Sequence, residues 1–586
     1  MATKNYVIGV GGAGARIMES IVRLCECGYI EQKELFCVMV DVDADNGNAV
    51  NFAKLVENYT NCYNALGKGA NDHIFKTEIL GASANNGFTA HLINKEDSRD
   101  SIIINHDLID ENDYLEVNDM KSFLSKKDYT EKFEDGFYGS TLQGTLSFEY
   151  YLTHAPKSSL NALLKRIVDD LRRDEVVKIY IAGSTFGGTG ASGILPICKK
   201  LVADAKNLST DGTPSKRENL HIFACLMTPY FVPIEEDKPK DARIHSEDFR
   251  PNSYYVVQKF RLEVDSKKNK IFNKIQTIGD TSRPIRGAYA EKGKQQANWP
   301  HICELFAAAE AGKFFEEKTE PSSPDSNRRA IQTEYVNPLK GDDMNDISDL
   351  RWDNYSGYRE LREAIELFTL FNYYFSADVM PTLFDYHGSK SSKPFVIWPN
   401  KGKKKKDEQL KRLSTSNWGE KFLKDDGGIL GFFGKKYSIN KNIIDAEAFE
   451  KMYNYLTGSA RWYYKLIHKF PLNDDYKPCW DKNADGDPSC KCAETADVLL
   501  KNLFGNYGTK KLTARSCLPK VKPSFLKESD SLINRGEENV EFLLDGNLSP
   551  NLLNNKTKMG DKIDKPEVFR ELVSVIYTRL IEEKPT

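Results

Sequence analysis

Two glycine-rich segments carry the residue types that bind phosphate groups in proteins. The longer one follows residues 176–182, a run of branched and aromatic side chains that is typical of a buried strand. Residues 183–193 then read GSTFGGTGASG, and the apolar residues that follow recur at helical spacing. A glycine loop between a strand and a helix presents backbone N–H groups and the positive end of the helix dipole to an anion. The loop can also be only a tight turn, and this segment alone leaves both interpretations open.

The second glycine segment lies near residue 10. Residues 5–8 predict a short strand, and residues 9–14 (GVGGAG) open an apolar-faced helix that Gly28 can end as a left-handed cap. Residues 35–43 (LFCVMVDVD) predict a second buried strand. Residues 5–43 therefore form a βαβ unit in which the G-x-G-x-x-G fingerprint stands after the first strand, at Gly9, Gly11 and Gly14.

Asp41 and Asp43 end the second predicted strand. In an open parallel sheet, ligands bind outside the carboxyl ends of the strands, so these acids can face a ligand. Ordinary turn residues at the end of a strand are the alternative interpretation.

The order of the predicted elements indicates a mostly parallel, Rossmann-like α/β sheet with helices on both faces. We expect residues 1–251 to form a nucleotide-binding domain with an insertion near residues 85–140, where the chain is polar and irregular. A central helix is predicted to start at residues 252–262. A second α/β domain is expected over residues 263–400, and a C-terminal extension over residues 401–586.

Composition excludes several classes of protein. The chain has 586 residues, 40% hydrophobic and 28% charged, which fits a globular protein. A net charge of -3 argues against bulk electrostatic binding to nucleic acid. No run of 18 apolar residues exists, so we expect no membrane span, and the lack of a secretory pattern at the start predicts a cytoplasmic protein. Most of the 11 cysteines lie in apolar stretches and are expected to be buried, reduced thiols.

The two glycine loops, in this order, resemble the FtsZ/tubulin superfamily of GTP-binding proteins, and in particular its divergent bacterial tubulin-like members. Residues 187–193 resemble the family signature G-G-T-G-[SA]-x-G. Residues 8–14 (IGVGGAG) look like the first phosphate and base loop, and residues 40–45 (VDVDAD) resemble the stretch after the second strand. Residues 66–71 (LGKGAN) resemble the loop that wraps the γ-phosphate. Asn252 resembles the residue that pairs with guanine, and Glu235 or Glu236 resembles the acid that contacts ribose.

The resemblance implies a tubulin/FtsZ GTPase fold that binds GTP or GDP with Mg²⁺. It also implies head-to-tail self-assembly into filaments or rings, with GTP hydrolysis completed at the subunit interface. Neither glycine loop holds a lysine, so backbone amides, helix dipoles and Mg²⁺ must offset the phosphate charge. The nucleotide-binding residues it implies are Gly11, Gly12, Ala13, Gly14, Arg16, Asp43, Gly69, Ala70, Asn71, Gly187, Gly188, Thr189, Gly190, Glu236 and Asn252.

Two departures from the family pattern concern charged residues. Arg16 stands where FtsZ has a polar amide residue, and its charge can help to hold phosphate or face solvent. The catalytic loop of the family, which reaches into the next subunit, has no clear counterpart. Asn298 and Glu304 are the nearest catalytic candidates, and a solvated helix position is the alternative for Glu304.

The C-terminal region contains a partial calcium motif. Asp481, Asn483 and Asp485, followed by Gly486, match the first half of a calcium-binding loop. The twelfth position is Cys492 instead of the bidentate glutamate, so an Asp/Asn-rich turn is the favoured interpretation. The cysteines nearby lack the C-x₂-C spacing of a zinc knuckle, and we expect neither Ca²⁺ nor Zn²⁺ there. A basic run over residues 401–412 favours a solvated loop over contact with an acidic partner protein or nucleic acid.

The sequence therefore predicts an assembling GTPase whose main partner is a second copy of itself. Two alternatives remain. The first is a nucleotide-binding scaffold or sensor with little hydrolysis, consistent with the unclear catalytic loop. The second is a Rossmann-type NAD(P) oxidoreductase, which the first glycine loop fits and the second glycine loop argues against.

Overall fold

The computed structural model describes a defined part of the chain. The described residues are 2–42, 47–83, 86–92, 137, 139–208, 216–233, 244–265, 271–279, 285–287, 300–317, 332–336, 358–386, 392, 395–397, 410, 413, 422–425, 437–467 and 565–582.

The chain divides into two compact units. The first comprises Met1–Leu24, Gln32–Glu57 and Thr77–Leu339, and the second comprises Cys25–Glu31, Asn58–Lys76 and Lys340–Thr586. Each unit is described separately below.

The chain up to residue 339 alternates strands and helices. The strands are β1 (Thr3–Val10), β2 (Glu34–Asp41), β3 (Glu78–Gly81), β4 (Thr89–His91), β5 (Val176–Ser184), β6 (Leu220–Met227), β7 (Phe231–Pro233), β8 (Lys274–Ile278), β9 (Ile285–Gly287) and β10 (Gln332–Val336). The helices are α1 (Gly11–Glu26), α2 (Gly47–Ala65), α3 (Thr141–His154), α4 (Ser159–Arg172), α5 (Thr189–Lys206), α6 (Phe249–Asp265) and α7 (Ile302–Glu316). Short 3₁₀ turns at Lys216–Asn219 and Ser246–Asp248 precede β6 and α6.

The first unit is built on an eight-stranded sheet. Its order is β10-β8-β6-β5-β1-β2-β3, and β4 pairs with the second half of β2. Every pairing in this sheet is parallel. The chain runs outward from β1 through β2 to β3, then returns to β5 and runs outward on the other side. This confirms the expected Rossmann-like, mostly parallel α/β fold and puts the reversal of strand order between β1 and β5.

Alternate residues of the strands face two different helical layers. Val177, Ile179 and Ile181 of β5 belong to a core that α3, α4, α5 and α6 complete with apolar side chains. This burial of both faces explains why the strands read as nearly continuous apolar runs.

The opposite face of β5 contacts α7. The Tyr180 hydroxyl donates to the carbonyl of Ala307 at 2.6 Å. The Lys178 ammonium is buried and donates to the carbonyls of Phe314 and Phe315, each at 3.1 Å, and to that of Glu317. Carbonyls in the last turn of a helix have no partner within the helix, so this lysine satisfies the C-terminal end of α7. Burial lowers the pKa of Lys178, although the charge of Glu317 opposes the shift.

The second unit is largely helical where it is described. It contains α8 (Tyr358–Tyr374), a π-helical turn (Phe375–Val379), α9 (Met380–Leu383), α10 (Ala446–Ile467) and α11 (Lys565–Glu582). Two antiparallel strand pairs accompany them, β11 (Phe384–Tyr386) with β12 (Phe395–Ile397) and β13 (Leu423–Asp425) with β14 (Tyr437–Ile439). Phe449 of α10 contacts Phe569 of α11 at 4.9 Å and stacks on Phe375 at 5.8 Å between ring centroids. Aromatic packing therefore supplies much of this core.

The division into units differs from the predicted domain boundaries. Residues 263–339 were expected to begin a second α/β domain, but β8 pairs with β6, and β10 pairs with β8, so both strands extend the first sheet. The reason is that a strand's partners depend on where the chain returns, which local pattern does not encode. The predicted central helix begins at Phe249, three residues before Asn252. Most of the predicted insertion at residues 85–140 lies outside the described residues, as do residues 468–564.

Two predictions from composition concern the described residues. The seven cysteines among them are all buried thiols, as expected. Burial raises the pKa of Cys225 to about 12, so this thiol stays protonated near neutral pH. Among the described helices, none combines the length and the apolar character that a membrane crossing requires.

Candidate functional site

The two glycine loops lie side by side at the carboxyl edge of the sheet. β1 and β5 are neighbouring parallel strands, and Val10 is aligned with Gly183. The first loop leads directly into α1 and the second into α5. Because the strand order reverses between β1 and β5, the loops border the crevice where open α/β sheets bind ligands. We call residues 11–14 and 187–190 together the glycine cradle.

The close approach of the two loops requires glycine. Gly11 has a φ of +70°, and a Cβ there would lie 3.0 Å from the Gly190 nitrogen. A Cβ on Gly190 would lie 2.8 Å from the Ser184 nitrogen and 3.0 Å from the Val10 carbonyl oxygen. These contacts are with backbone atoms, which cannot move aside. The spacing of the glycines is therefore explained by the contact between the loops.

The first turns of α1 and α5 present backbone N–H groups at the cradle. Neither helix has an acidic residue in its first turn, and Gly188 at the N-cap of α5 provides no side-chain hydrogen bond. Gly12, Gly187 and Gly188 are partly exposed, whereas Ala13, Gly14, Thr189 and Gly190 are buried. Four N–H groups at the start of any helix lack a partner within it. Two such helix ends, neither with an acidic residue in its own first turn, favour an anion.

A third helix begins beside the second loop, and the sequence reasoning did not assign it to the site. A Cβ on Gly188 would lie 3.2 Å from the Gly139 nitrogen, two residues before α3 begins at Thr141. The Ser192 hydroxyl donates to the Gly188 carbonyl at 2.7 Å and lies 3.0 Å from the Thr141 carbonyl. The first turn of α3 also has no acidic residue. The small residues Gly139, Ser140 and Thr141 are the sequence signal that could have indicated this helix N-terminus.

The Thr141 hydroxyl has no hydrogen-bond partner in the described structure. Thr141 is 5% exposed, and its Oγ1 is buried. A buried hydroxyl without a partner costs free energy, roughly 1–3 kcal/mol, unless a ligand or water satisfies it. This hydroxyl is therefore a candidate ligand contact at the start of α3.

A fourth helix, α6, begins nearby and carries Asn252. The Asn252 amide donates to the Gly139 carbonyl at 3.0 Å. One residue later, the Ser253 hydroxyl lies 2.7 Å from that of Thr185 in the second loop. Asn252 therefore lies close to the residues that precede α3, which lie beside the second glycine loop.

Asp41 and Thr189 meet across β1. The Thr189 hydroxyl donates to Asp41 Oδ1 at 3.2 Å, and the same oxygen accepts from the Val42 nitrogen at 2.7 Å. Asp41 is 5% exposed. The predicted contact Asp43 lies outside the described residues, and Asp41 is the acid that the structure puts beside the second loop.

Arg16 and Glu304 do not occupy the positions predicted for them. Arg16 Nε donates to Glu304 Oε1 at 2.6 Å, and Arg16 Nη2 donates to the Tyr230 hydroxyl at 2.8 Å. Tyr230 donates to the same carboxylate oxygen, and the His301 nitrogen donates to Glu304 Oε2 at 2.9 Å. Glu304 is 0% exposed and Arg16 is 7% exposed.

These contacts correct three expectations. Arg16 does not face solvent: it is buried, and its Nε and Nη2 bond Glu304 and Tyr230. Glu304 is not a solvated helix residue. A fully buried carboxylate that accepts three hydrogen bonds also cannot act as an acid that reaches a neighbouring subunit. It completes the capping box of α7, in which the Cys303 nitrogen donates to His301 Nδ1 at 3.0 Å.

The electrostatics of this group are those of a neutralised buried pair. Burial acts to lower the pKa of Arg16, but Tyr230 and Glu304 more than offset it, so the guanidinium stays charged. Burial raises the pKa of Tyr230 well above its usual range, and the charge of Glu304 adds to the shift while Arg16 opposes it. Tyr230 therefore remains a hydroxyl donor.

The third predicted loop, residues 66–71, belongs to the second unit. Lys68, Gly69 and Ala70 are exposed, and Lys68 and Gly69 have φ values of +51° and +79°. Asn71 is buried, and its Oδ1 accepts from the nitrogens of His73 (2.8 Å) and Ile74 (3.0 Å). The side-chain amide oxygen of Asn71 thus stabilises a local turn.

The remaining predicted site residues lie outside the described part of the chain. They are Glu235, Glu236, Asn298, Asp481, Asn483 and Asp485. Among the described residues, no group of three or more His, Cys, Asp or Glu side chains is arranged to hold a metal ion.

Comparison with known proteins gives no family assignment. No protein-family model, no curated protein and no solved structure matches this chain.

Proposed function

We propose that this protein binds the phosphate groups of a nucleotide in the glycine cradle. The observation that carries the proposal is the pairing of two helix N-termini, those of α1 and α5, at the reversal of strand order. Both first turns are free of acidic residues, and the loops have the small residues that let an anion approach the backbone.

The start of α3 supports a ligand with more than one phosphate group. Its first-turn amides and the unpartnered Thr141 hydroxyl lie beside the second loop, adding a third set of donors. A diphosphate or triphosphate chain extends over several ångströms and can use several such sets at once. A single small anion would need only one helix N-terminus.

Asp41 fits the requirement of a bound Mg²⁺. This ion prefers oxygen ligands and is commonly held by one or two carboxylates together with substrate phosphates and water. The Asp41 carboxylate and the Thr189 hydroxyl are oxygen groups 3.2 Å apart beside the second loop. Bound Mg²⁺ would supply positive charge that the loops themselves lack.

The guanine base and self-assembly rest on the resemblance to the FtsZ/tubulin superfamily. On that resemblance, Asn252 contacts the base, copies of the chain associate head to tail, and GTP hydrolysis is completed at the interface between them. The position of Asn252 at the start of α6, bonded to Gly139, is compatible with a base bound next to the second loop.

One observation favours the second candidate function, a nucleotide-binding scaffold or sensor with little hydrolysis. Glu304, the acid predicted as the nearest catalytic candidate, is buried and accepts hydrogen bonds from Arg16, Tyr230 and the backbone nitrogen of His301.

The oxidoreductase alternative shares the sheet topology. A strand order that extends 3-2-1 and then outward from the other side of β1 is found in dinucleotide-binding proteins as well. The G-x-G-x-x-G loop of a dinucleotide-binding protein needs phosphate contacts only after β1. The second glycine loop, after β5, is the feature that argues against the oxidoreductase.

The first experiment identifies the nucleotide and tests the cradle. Purified protein is denatured, the released nucleotide is separated by chromatography, and GDP, GTP, ATP and NAD are titrated by calorimetry into nucleotide-free protein. We expect a guanine nucleotide. A nicotinamide dinucleotide would support the oxidoreductase, and no binding of any of the four would contradict the proposal.

Gly187→Asp and Gly187→Asn form a matched pair for this titration. Gly187 is partly exposed, and a Cβ there meets only the Ser184 hydroxyl oxygen, at 2.8 Å, which can rotate away. Both variants should fold. The aspartate puts a negative charge where the phosphate is proposed, so we expect at least a tenfold greater loss of affinity than with the neutral asparagine. Equal affinities in the two variants would contradict the assignment of this loop.

A second experiment separates assembly-coupled hydrolysis from binding alone. GTP turnover is measured over a hundredfold range of protein concentration, alongside electron microscopy. Turnover per subunit that rises steeply with concentration supports a hydrolytic site completed by a neighbour. Bound nucleotide with flat, negligible turnover supports the scaffold or sensor.

A further inference from the structure

A buried polar cluster ties the first glycine loop to distant parts of the first unit. Arg16 lies in the second turn of α1, five residues after Gly11. Its guanidinium bonds Tyr230, which follows β6, and Glu304, in the first turn of α7. With Tyr230 also bonding Glu304, the three side chains form a closed triangle.

Tyr230 also contacts the second glycine loop. Its ring packs edge-on against Phe186, which lies one residue before Gly187, with ring centroids 6.0 Å apart. On another side the ring meets His301, the N-cap of α7, at 4.8 Å. Tyr230 therefore touches residues next to both loops as well as the start of α7.

We propose that Tyr230 and Glu304 are positioning residues that act through Arg16 to hold α1, and with it the first glycine loop, in the geometry of the cradle. This inference rests on the proposed function for its ligand, but the positioning itself is a property of the protein without ligand.

The physical argument is one of alignment. An anion gains from a helix N-terminus only if the first-turn N–H groups point at it, so the axis of α1 must be set accurately. The glycines themselves cannot fix the axis of α1, because a glycine loop has the widest range of backbone conformations. A buried charge pair with a shared hydroxyl is directional and tolerates little displacement. It acts at the second turn of α1, close enough to fix the first.

The charge balance also favours positioning over direct binding. Glu304 neutralises Arg16, so the pair leaves no net charge near the cradle. The glycine amides and helix dipoles then remain the attraction for an anion, and Arg16 serves to orient them.

The test uses two variants and one control. Tyr230→Phe removes only the hydroxyl and keeps the ring against Phe186. The double variant Arg16→Met with Glu304→Leu removes both charges without leaving either buried and unpaired. The control is Glu310→Gln, because Glu310 is a buried acid of the same helix whose partners, Lys274, Lys313 and Gln276, involve neither glycine loop.

The first readout is amide hydrogen exchange in the absence of nucleotide. We expect Tyr230→Phe and the double variant to speed exchange about tenfold or more in peptides covering residues 9–17, as the loss of a buried hydrogen bond implies. Residues 274–278 of β8 should change little, and Glu310→Gln should leave residues 9–17 unchanged. Equal acceleration in both regions would mean that the cluster contributes only general stability, and the proposal would be wrong.

The second readout is affinity for GDP, measured by calorimetry. We expect GDP to bind about tenfold more weakly to both cluster variants and with wild-type affinity to Glu310→Gln. Wild-type affinity in Tyr230→Phe and the double variant would overturn the proposal. If the wild-type protein fails to bind GDP, the proposed nucleotide is wrong, and the exchange measurement still decides whether Tyr230 and Glu304 position the loop.

Discussion

The two glycine loops look alike in sequence but are held in place by different means. Two hydroxyl groups close to the second loop in the chain support it. Thr185 donates to the carbonyl of Met227 on the next strand, β6, at 2.9 Å, and Ser192 donates to the carbonyl of Gly188. The first loop has Arg16 behind it, whose acidic partner is 288 residues away in the sequence.

The difference shows that two kinds of contact, hydroxyl hydrogen bonds and a buried charge pair, can hold the two loops of one proposed anion-binding site. The bonds from Thr185 to Met227 and from Ser192 to Gly188 form whenever β5, β6 and α5 form. The first loop depends on a charge pair that exists only after α7 has packed. We therefore expect the first loop to be more sensitive to distant substitutions than the second.

The largest expected effect comes from breaking the charge pair behind the first loop. Glu304→Leu leaves the Arg16 charge buried and unpaired, and should lower the free energy of unfolding by about 3–5 kcal/mol. Urea denaturation followed by circular dichroism measures this change. Adding Arg16→Met should restore most of the loss. Equal stabilities of the single and double variants would show that the pair is not a coupled unit.

A smaller effect is expected from adding a methyl group to the two loops. A Cβ on Gly14 would lie 2.5 Å from the Gly9 carbonyl carbon and 2.7 Å from the Ala182 carbonyl oxygen. Because both contacts are with backbone, Gly14→Ala should cost about 2–3 kcal/mol of stability. Gly187→Ala, which meets only the Ser184 hydroxyl, should stay within about 0.5 kcal/mol of wild type. Similar losses in the two variants would contradict the difference in crowding between Gly14 and Gly187.

Removing one hydroxyl tests the hydrogen bond that joins the second loop to Asp41 at the end of β2. Thr189→Val keeps the shape of the side chain but loses the hydrogen bond to Asp41, and should cost about 1 kcal/mol. Thr189→Ser retains the hydroxyl and serves as the control. Thermal unfolding of the two variants at neutral pH provides the comparison, and a valine variant as stable as the serine one would contradict it.

The smallest effect concerns pH and the second acid of α7. Burial acts to raise the pKa of Glu310, but Lys313 and Lys274 more than offset it, so the pKa lies below the ordinary value of a glutamate side chain. A lowered folded-state pKa gives stability that is fully present above the unfolded pKa and is lost as the pH falls below it. Between pH 6 and 3, wild type should therefore lose more stability than Glu310→Gln. Parallel losses in the two proteins, measured by urea denaturation, would show that Glu310 is not linked to folding.

Several elements could be predicted because their signals are local. The apolar run before Gly183, the helical spacing after it and the βαβ pattern around Gly9 are properties of neighbouring residues, and the strands and helices formed there. The N-cap of α4 is an example of what such signals leave open: Ser158 is the N-cap and accepts from the Asn161 nitrogen at 3.2 Å, although Ser159 follows it directly. Adjacent serines are equivalent in sequence, and backbone geometry distinguishes them.

What the sequence determined by itself was the pair of strand, glycine loop and helix segments, since buried strands, tight turns and amphipathic helices are encoded by residues within a few positions of one another. What only the tertiary structure decided was which side chains meet. Arg16 finds Glu304, the start of α3 with Thr141 comes to lie beside Gly188, and β8 joins β6 instead of opening a second domain. Such meetings depend on the path of the chain across the whole sheet, and no local pattern contains that path.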